Sequence, residues 1–194
     1  PRPKASSNCN LTRVINCIVA SNRLACLAAK RQAEQFGYRT ALLSTRLAGD
    51  TGACALTHAA IAAEVIGSSN PLTMPACILS GGETTVVVRG AGLGGRNQEF
   101  ALVCAQAIAD LEGEVVVLSG GSDGTDGPTD AAGGLVDNTS IARGRLAGLD
   151  DAASLAANDS YHYLAATGDL LITGPTGTNV MDIRIMLVDE KPAY

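Results

Sequence analysis

The chain contains no tryptophan, and its two Phe and four Tyr amount to only 3% of 194 residues. Its core must therefore be assembled from Ala, Val, Leu and Ile, which the 46% hydrophobic content supplies. His58 and His162 are its two histidines, too few to build an imidazole-based zinc site. No C-x-x-C pair occurs among Cys9, Cys17, Cys26, Cys54, Cys77 and Cys104. These cysteines are scattered through apolar segments, as buried thiols of a reducing compartment are. Cations are in the minority: 14 Lys and Arg against 19 Asp and Glu give a net charge of −5. That balance excludes a surface built to neutralise nucleic-acid phosphates. No apolar run is long enough to cross a bilayer, and no signal peptide opens the chain, so a cytoplasmic protein is expected. In that setting the Asn-x-Ser/Thr matches at Asn10, Asn138 and Asn158 carry no meaning. The first residue is Pro rather than Met, as in a fragment or processed chain.

What is present is an alternation of strand-like and helix-like segments. Residues 1–9 are polar and expected to be loose. Val14–Ala20 reads as an apolar strand. Ser21 or Asn22 caps a helix to about Phe36, closed by Gly37. Tyr38–Ser44 is a second strand, Thr51–Ile66 an Ala-rich helix closed by Gly67, and Ala76–Leu79 a short strand. A helix over Asn97–Leu111 would bury Phe100, Cys104, Ala107, Ile108 and Leu111 on one face. The apolar run Glu114–Ser119 reads as a strand buried on both faces. Residues 139–147 and 150–157 read as helices, Leu170–Thr173 and Asp182–Val188 as strands. This order predicts an α/β fold, a mostly parallel sheet with helices on both faces in a Rossmann-like three-layer architecture.

The densest chemical signal is residues 79–100, LSGGETTVVVRGAGLGGRNQEF. Ser80-Gly81-Gly82-Glu83 reads as a tight turn carrying a carboxylate, and Thr84–Arg89 as a β-branched strand. The glycines through Gly94 and Gly95 let the backbone approach a ligand. Arg96 and Asn97 then stand at a helix N-terminus, where free N–H groups and the helix dipole favour an anion. Arg96 would complete a phosphate or carboxylate seat, while contributing little to the core.

Two further loops follow strands. Residues 119–137 hold Asp123, Asp126, Asp130 and Asp137 among six glycines, without Lys or Arg. Carboxylates at the C-terminal end of a strand are placed where open α/β sheets bind ligands, and Mg²⁺ needs few of them. Helix and turn capping accounts well for Asp130 and less well for Asp123 and Asp126. Residues 173–182, TGPTGTNVMD, offer Thr176, Gly177, Thr178 and Asn179 as a neutral cradle for phosphate oxygens. Asn158-Asp159-Ser160 reads as an N-cap rather than a ligand contact.

Shorter patterns are weaker. Gly90, Gly92 and Gly95 satisfy G-x-G-x-x-G, but the following strand ends at Ser119 without the acidic residue a dinucleotide fold uses. Gly120-Gly121-Ser122-Asp123-Gly124 satisfies G-x-S-x-G, but Pro128 and more glycines follow where a nucleophile elbow runs into a helix. Neither a P-loop nor an EF-hand loop occurs.

SGGET, GAGLGGRNQE, SDGTDGPTDAAG, NDSY and TGPTGTNVMD, in that order, resemble the C-terminal (MOFRL) domain of the glycerate 2-kinases, many of which carry the name hydroxypyruvate reductase. The resemblance spans about residues 80–188. It implies that residues 1–79 end the preceding domain and 80–194 form the MOFRL-like domain, with the family's first half absent. It implies a kinase that uses ATP and Mg²⁺ to phosphorylate D-glycerate at the 2-position. An NAD(P)H-dependent hydroxypyruvate reductase and a non-catalytic binding module are the alternatives. Arg96, Asp123 and Asp126 would be catalytic, with Asp123 or Asp126 holding the metal or orienting the attacking hydroxyl. Glu83, Gly94, Gly95, Asn97, Glu99, Thr176 and Asn179 would bind substrate or nucleotide, or order the loops that do. Leu93 departs from the family, where many members have a basic residue. The partners implied are glycerate and ATP, with no nucleic acid and no membrane, and homodimerisation left open. Family members close their active site between two domains and draw an essential lysine from the first, so this chain alone is not expected to turn over.

Overall fold

The structure, a computed structural model, describes residue 15 and residues 17–191. Cys9 and the loose segment expected over residues 1–9 lie outside it. Helix α1 (Asn22–Gln35) begins at Ser21, whose side chain accepts the Leu24 N–H at 3.3 Å, and ends at Phe36 with Gly37 at a φ of 92°. Strand β1 (Arg39–Leu47) follows, then α2 (Thr51–Ser68), capped by Asp50 through the Ala53 N–H at 2.9 Å. This helix runs through Gly67 and stops at Ser69, which takes the left-handed turn itself. Strand β2 (Ala76–Gly82), α3 (Arg96–Ile108) and β3 (Glu114–Gly121) form the centre. The chain continues through β4 (Gly133–Asp137), α4 (Ser140–Leu146), α5 (Asp151–Ala156), α6 (Ser160–Thr167), β5 (Leu170–Leu171) and β6 (Asp182–Asp189). No helix among the described residues is long and apolar enough to cross a membrane.

The six strands form one sheet in the order β1-β2-β6-β3-β4-β5. The α/β class expected from the sequence is observed, but the sheet is mixed. Strands β1, β2, β3 and β5 run in one direction, yet only β1 and β2 are parallel neighbours. Strand β6 lies antiparallel between β2 and β3, and β4 antiparallel between β3 and β5. Local periodicity reports the β-α-β order of β2, α3 and β3. It carries no information about a strand arriving some sixty residues later to part them. The boundary expected between residues 79 and 80 falls inside β2, which is bonded to β1 on one side and β6 on the other.

The main core lies between the sheet and α2, α3, α4 and α6. It comprises Ala55, Ala62, Val65, Phe100, Cys104, Ile108, Tyr163 and Leu164 against Ala76, Ile78, Val115, Val117, Met186 and Val188. Helix α1 packs on β1 and β2, where Cys77 and Leu79 alternate with Ala76 and Ile78 to face the other way. Among the described residues, three layers therefore exist only over that part of the sheet. Elsewhere on the second face Val116, Leu118, Ile183 and Ile185 are half-buried and Leu135 is exposed, so β3 alternates rather than burying both faces. Burial pushes the Cys77 thiol up to about 11, and the described cysteines are all free.

Three expectations fail locally. Over the described part of Val14–Ala20 there is no strand, and Ile15, Ile18 and Val19 are exposed. Strand propensity expresses fit to a pleated, half-buried surface, and none receives this run. The tight turn at Ser80–Gly82 is instead the end of β2, with Ser80, Gly81 and Gly82 paired to Arg184, Ile183 and Asp182. Its glycine is required because a side chain at Gly81 would overlap that of Asn22 at the start of α1. Beyond Gly82 the neighbouring strands have ended, so Thr84–Arg89 leaves the sheet and keeps one bridge, between Thr85 and Asp50. Strand β4 has no counterpart in the sequence reading, and α6 is implied there only by the N-cap reading of Asn158-Asp159-Ser160.

His58 of α2 is buried edge-on to Phe100, with Nδ1 2.7 Å from the Cys54 carbonyl and Nε2 2.8 Å from Ser80 Oγ. Burial lowers its pKa below the ordinary 6.5, and the Arg184 charge adds to this. The folded state thus binds its proton less readily than the unfolded chain. The stability this confers is full above a pH of about 6.5 and is lost as pH falls from there towards the depressed folded value. Thermal melts at pH 7.5 and 5.5 should show a drop that a His58→Gln variant lacks in part; equal drops would exclude His58 as a source.

Candidate active site

The carboxyl ends of β2 and β3 meet the first residue of β6 at one end of the sheet, where Gly82 and Gly121 both pair with Asp182. Helix α3 starts there. A cleft of about 710 Å³ opens over it, within the range of small-molecule sites. It is lined by Glu83, Thr84, Gly94, Gly95, Arg96, Asp126 and Ser160, among others. Val86 and Val88 add an apolar rim.

Arg96 is held in a fixed pose. Its Nε donates to Asp182 Oδ2 at 2.7 Å and its Nη2 to Oδ1 at 2.9 Å, while Nη1 lies 3.1 Å from Glu83 Oε1. The hydrogen bond to Asp182 raises its already high pKa further, so the cation is permanent. About a third of the side chain remains exposed in the cleft. The helix N-terminus beside it is not open to an anion, because Asp126 already occupies it. The Asp126 carboxylate accepts from Asn97 N–H at 3.0 Å, Gln98 N–H at 2.9 Å and Asn97 Nδ2 at 3.2 Å. Burial pushes the Asp126 pKa up, against the pull of those hydrogen bonds. A side chain at Gly95 would overlap this carboxylate, which explains the glycine.

The glycine loop is clamped by the 157–160 segment rather than left free. Asn158 Oδ1 accepts from the Arg89 and Gly90 N–H groups at 2.7 and 2.9 Å, and Asp159 Oδ1 from Leu93 N–H at 2.8 Å. Side chains at Gly90 and Gly92 would strike Ala157 and Asp159. The expected N-cap is not made; the Asn158 and Asp159 side chains hold the loop instead. Glu99, whose pKa is raised by burial, accepts from Asn158 Nδ2 and also faces the cleft.

Of the residues singled out from the sequence, Glu83, Gly94, Gly95, Arg96, Glu99 and Asp126 come together around the cleft, with Asn97 buried directly behind. Asp123, Thr176 and Asn179 form a second cluster that does not line it. Asp123 Oδ2 accepts from Asn179 Nδ2 at 3.1 Å, and Thr176 Oγ1 donates to the Ser122 carbonyl at 2.5 Å. Asp123 and Asp126 are thus engaged separately, one between two loops and the other on α3. No group of three or more His, Cys, Asp or Glu side chains suited to a metal occurs among the described residues. Of the two, Asp123 is half-buried and Asp126 buried.

Asp182 is the residue that sequence reasoning passed over. It is fully buried, and besides Arg96 it accepts from Asn97 Nδ2 at 3.1 Å and Arg184 Nη2 at 3.1 Å. A signal was present: Asp182 and Arg184 stand two apart, on the same face of β6 as the core residues Met186 and Val188. Opposite charges on the core face of a strand mark a buried ion pair.

Fold and cleft together define an open-sheet α/β domain whose cleft lies at the carboxyl ends of its parallel-directed strands. The chain belongs to the MOFRL family, whose model matches residues 76–182. It is 42% identical over 183 residues to a glycerate 2-kinase of Pyrococcus horikoshii, covering 94% of this chain and 41% of that protein. It is 43% identical over 179 residues to a D-glycerate 2-kinase of Thermotoga maritima, covering 92% and 43%. The crystal structure of a Thermotoga maritima glycerate kinase superposes with a TM-score of 0.86 at 44% identity, over 89% of this chain and 41% of that one. The chain thus spans less than half the length of these relatives.

Proposed function

We propose that this chain is part of a glycerate kinase that transfers the terminal phosphoryl group of ATP to the 2-hydroxyl of D-glycerate, with Mg²⁺. The carrying observation is a permanently charged arginine that lines the cleft and is held in place, in a chain 42–43% identical to kinases of that name. Phosphoryl transfer depends chiefly on positioning and on neutralising charge at oxygens. Arg96 would meet the glycerate carboxylate or a phosphate, and the walls around it would exclude water. Asp123 would hold the metal, which when bound supplies charge neutralisation on the phosphates. The rest of the cleft would come from the remainder of the longer protein, which would then be needed for turnover.

The test is the full-length protein incubated with D-glycerate, ATP and Mg²⁺, the product being identified by ³¹P NMR. Appearance of 2-phosphoglycerate supports the reading. Oxidation of NADH by hydroxypyruvate, without ADP formation, would replace it with the reductase. Asp123→Asn is expected to lower kcat on the order of 100-fold. Its stability should stay within about 0.5 kcal/mol of wild type, since Asp123 is only half-buried. A wild-type kcat in this variant would remove Asp123 from the chemistry.

A further inference from the structure

Beneath Arg96 lies a buried polar layer that the proposed chemistry does not use. Arg184 is 1% exposed, rests over the Phe100 ring at 4.9 Å, and donates through Nη2 to Asp182 at 3.1 Å and to Thr84 Oγ1 at 2.9 Å. Thr84 is a wall of the cleft and accepts in turn from Thr51 Oγ1 at 2.9 Å. In the sheet Arg184 sits between Ser80 and Ser119, and Ser119 Oγ donates to Asn97 Oδ1 at 2.7 Å. Two chains of hydrogen bonds in this layer, Thr51–Thr84–Arg184 and Ser119–Asn97, reach the Asp182 carboxylate. Its two oxygens take both parallel donors of the Arg96 fork, which holds the plane of the guanidinium at two points. A lone arginine on a loop would lose rotamer freedom on binding a ligand; one held by two bonds has less to lose.

We propose that Asp182 is a positioning residue: it fixes the plane of the Arg96 guanidinium so that only the Nη1 edge, now paired with Glu83, is presented to an anionic group of the substrate. This rests on the reading of Arg96 as the anion-binding residue. It assigns the work of orientation to a side chain that never touches substrate. An arginine held by Nε and Nη2 offers one edge, and a carboxylate or phosphoryl oxygen arriving in the cleft takes that edge by displacing Glu83, which is exposed and free to swing away. Lysine in place of Arg96 would keep the charge but could not be held by two parallel bonds.

The test has two parts. In the 194-residue chain, ¹H–¹⁵N NMR of arginine side chains should show a slowly exchanging Arg96 Nε–H in wild type, and its loss in Asp182→Asn. In the full-length enzyme, Asp182→Asn should lower kcat/KM about 100-fold, the usual consequence of a misplaced group. In an Arg96→Ala background the same change should cost less than about twofold, because Asp182 then has nothing to position. Asp182→Glu, which retains the carboxylate, should restore part of the Nε–H protection. An unprotected Arg96 Nε–H in wild type overturns the proposal without any variant having to fold. So does a loss in Asp182→Asn that persists in full without Arg96, which would assign Asp182 to the fold alone. If Arg96→Ala is as active as wild type while the wild-type Nε–H is protected, the anion reading of Arg96 fails and the positioning role falls with it.

Discussion

Replacing Arg96 by alanine in the full-length enzyme should lower kcat/KM by about 10²- to 10³-fold, the cost of removing one fixed donor from developing charge. Arg96→Lys should fall between this variant and wild type, since it keeps the charge without the planar fork. The structure revises one part of the expectation drawn from sequence, that a loop arginine contributes little to the fold. Arg96 is the two-pronged partner of a fully buried carboxylate, so its removal leaves Asp182 with Arg184 and Asn97 alone. About 1–3 kcal/mol of stability should go with it. Kinetics must therefore be measured well below the lowered melting temperature, with circular dichroism to confirm the fold. Near-normal kcat/KM in the alanine variant would mean that the anion sits elsewhere.

Asp126→Ala should act through stability. The carboxylate is 3% exposed and satisfies two backbone N–H groups and one side-chain amide at the start of α3. Removing a charged cap of this kind costs about 2–4 kcal/mol, combining the loss of the cap with donors left unpaired. That is a large share of a typical domain's stability, about 5–15 kcal/mol. Since α3 carries Arg96 on its first turn, activity should fall with the fold. Urea denaturation of the 194-residue chain measures the effect directly. An Asp126→Ala protein of wild-type stability and no activity would instead assign the carboxylate to the chemistry, as the sequence alone suggested for both Asp123 and Asp126.

Much of the scaffold was legible from one dimension. Ser21 caps its helix as its side chain predicts, Gly37 ends α1, and the helical spacing of Phe100, Cys104 and Ile108 marks the buried face of α3. The motif blocks together point to the family, and the GGRN block locates the cleft. What failed were segments whose fate depends on distant partners. Thr84–Arg89 has strand chemistry, but β1 and β6 have ended beside it. Gly133–Asp137 looks like loop, yet it is a strand because Ser119 and Leu118 of β3 lie opposite Gly134 and Leu135.

By itself the sequence determined the long helices α1, α2 and α3, the cap of α1, the α/β class, and the presence of an arginine beside a glycine loop, because these follow from contacts within a few residues. Only the tertiary structure decided the order of strands in the sheet, the assignment of Asp126 to a helix cap, the separation of Asp123 from the cleft, and the locking of Arg96 by Asp182. Each joins side chains 28 to 86 residues apart or sets one strand against another. No local periodicity encodes such a pairing. It is fixed by the requirement that a buried charge or backbone donor find its partner when the sheet closes.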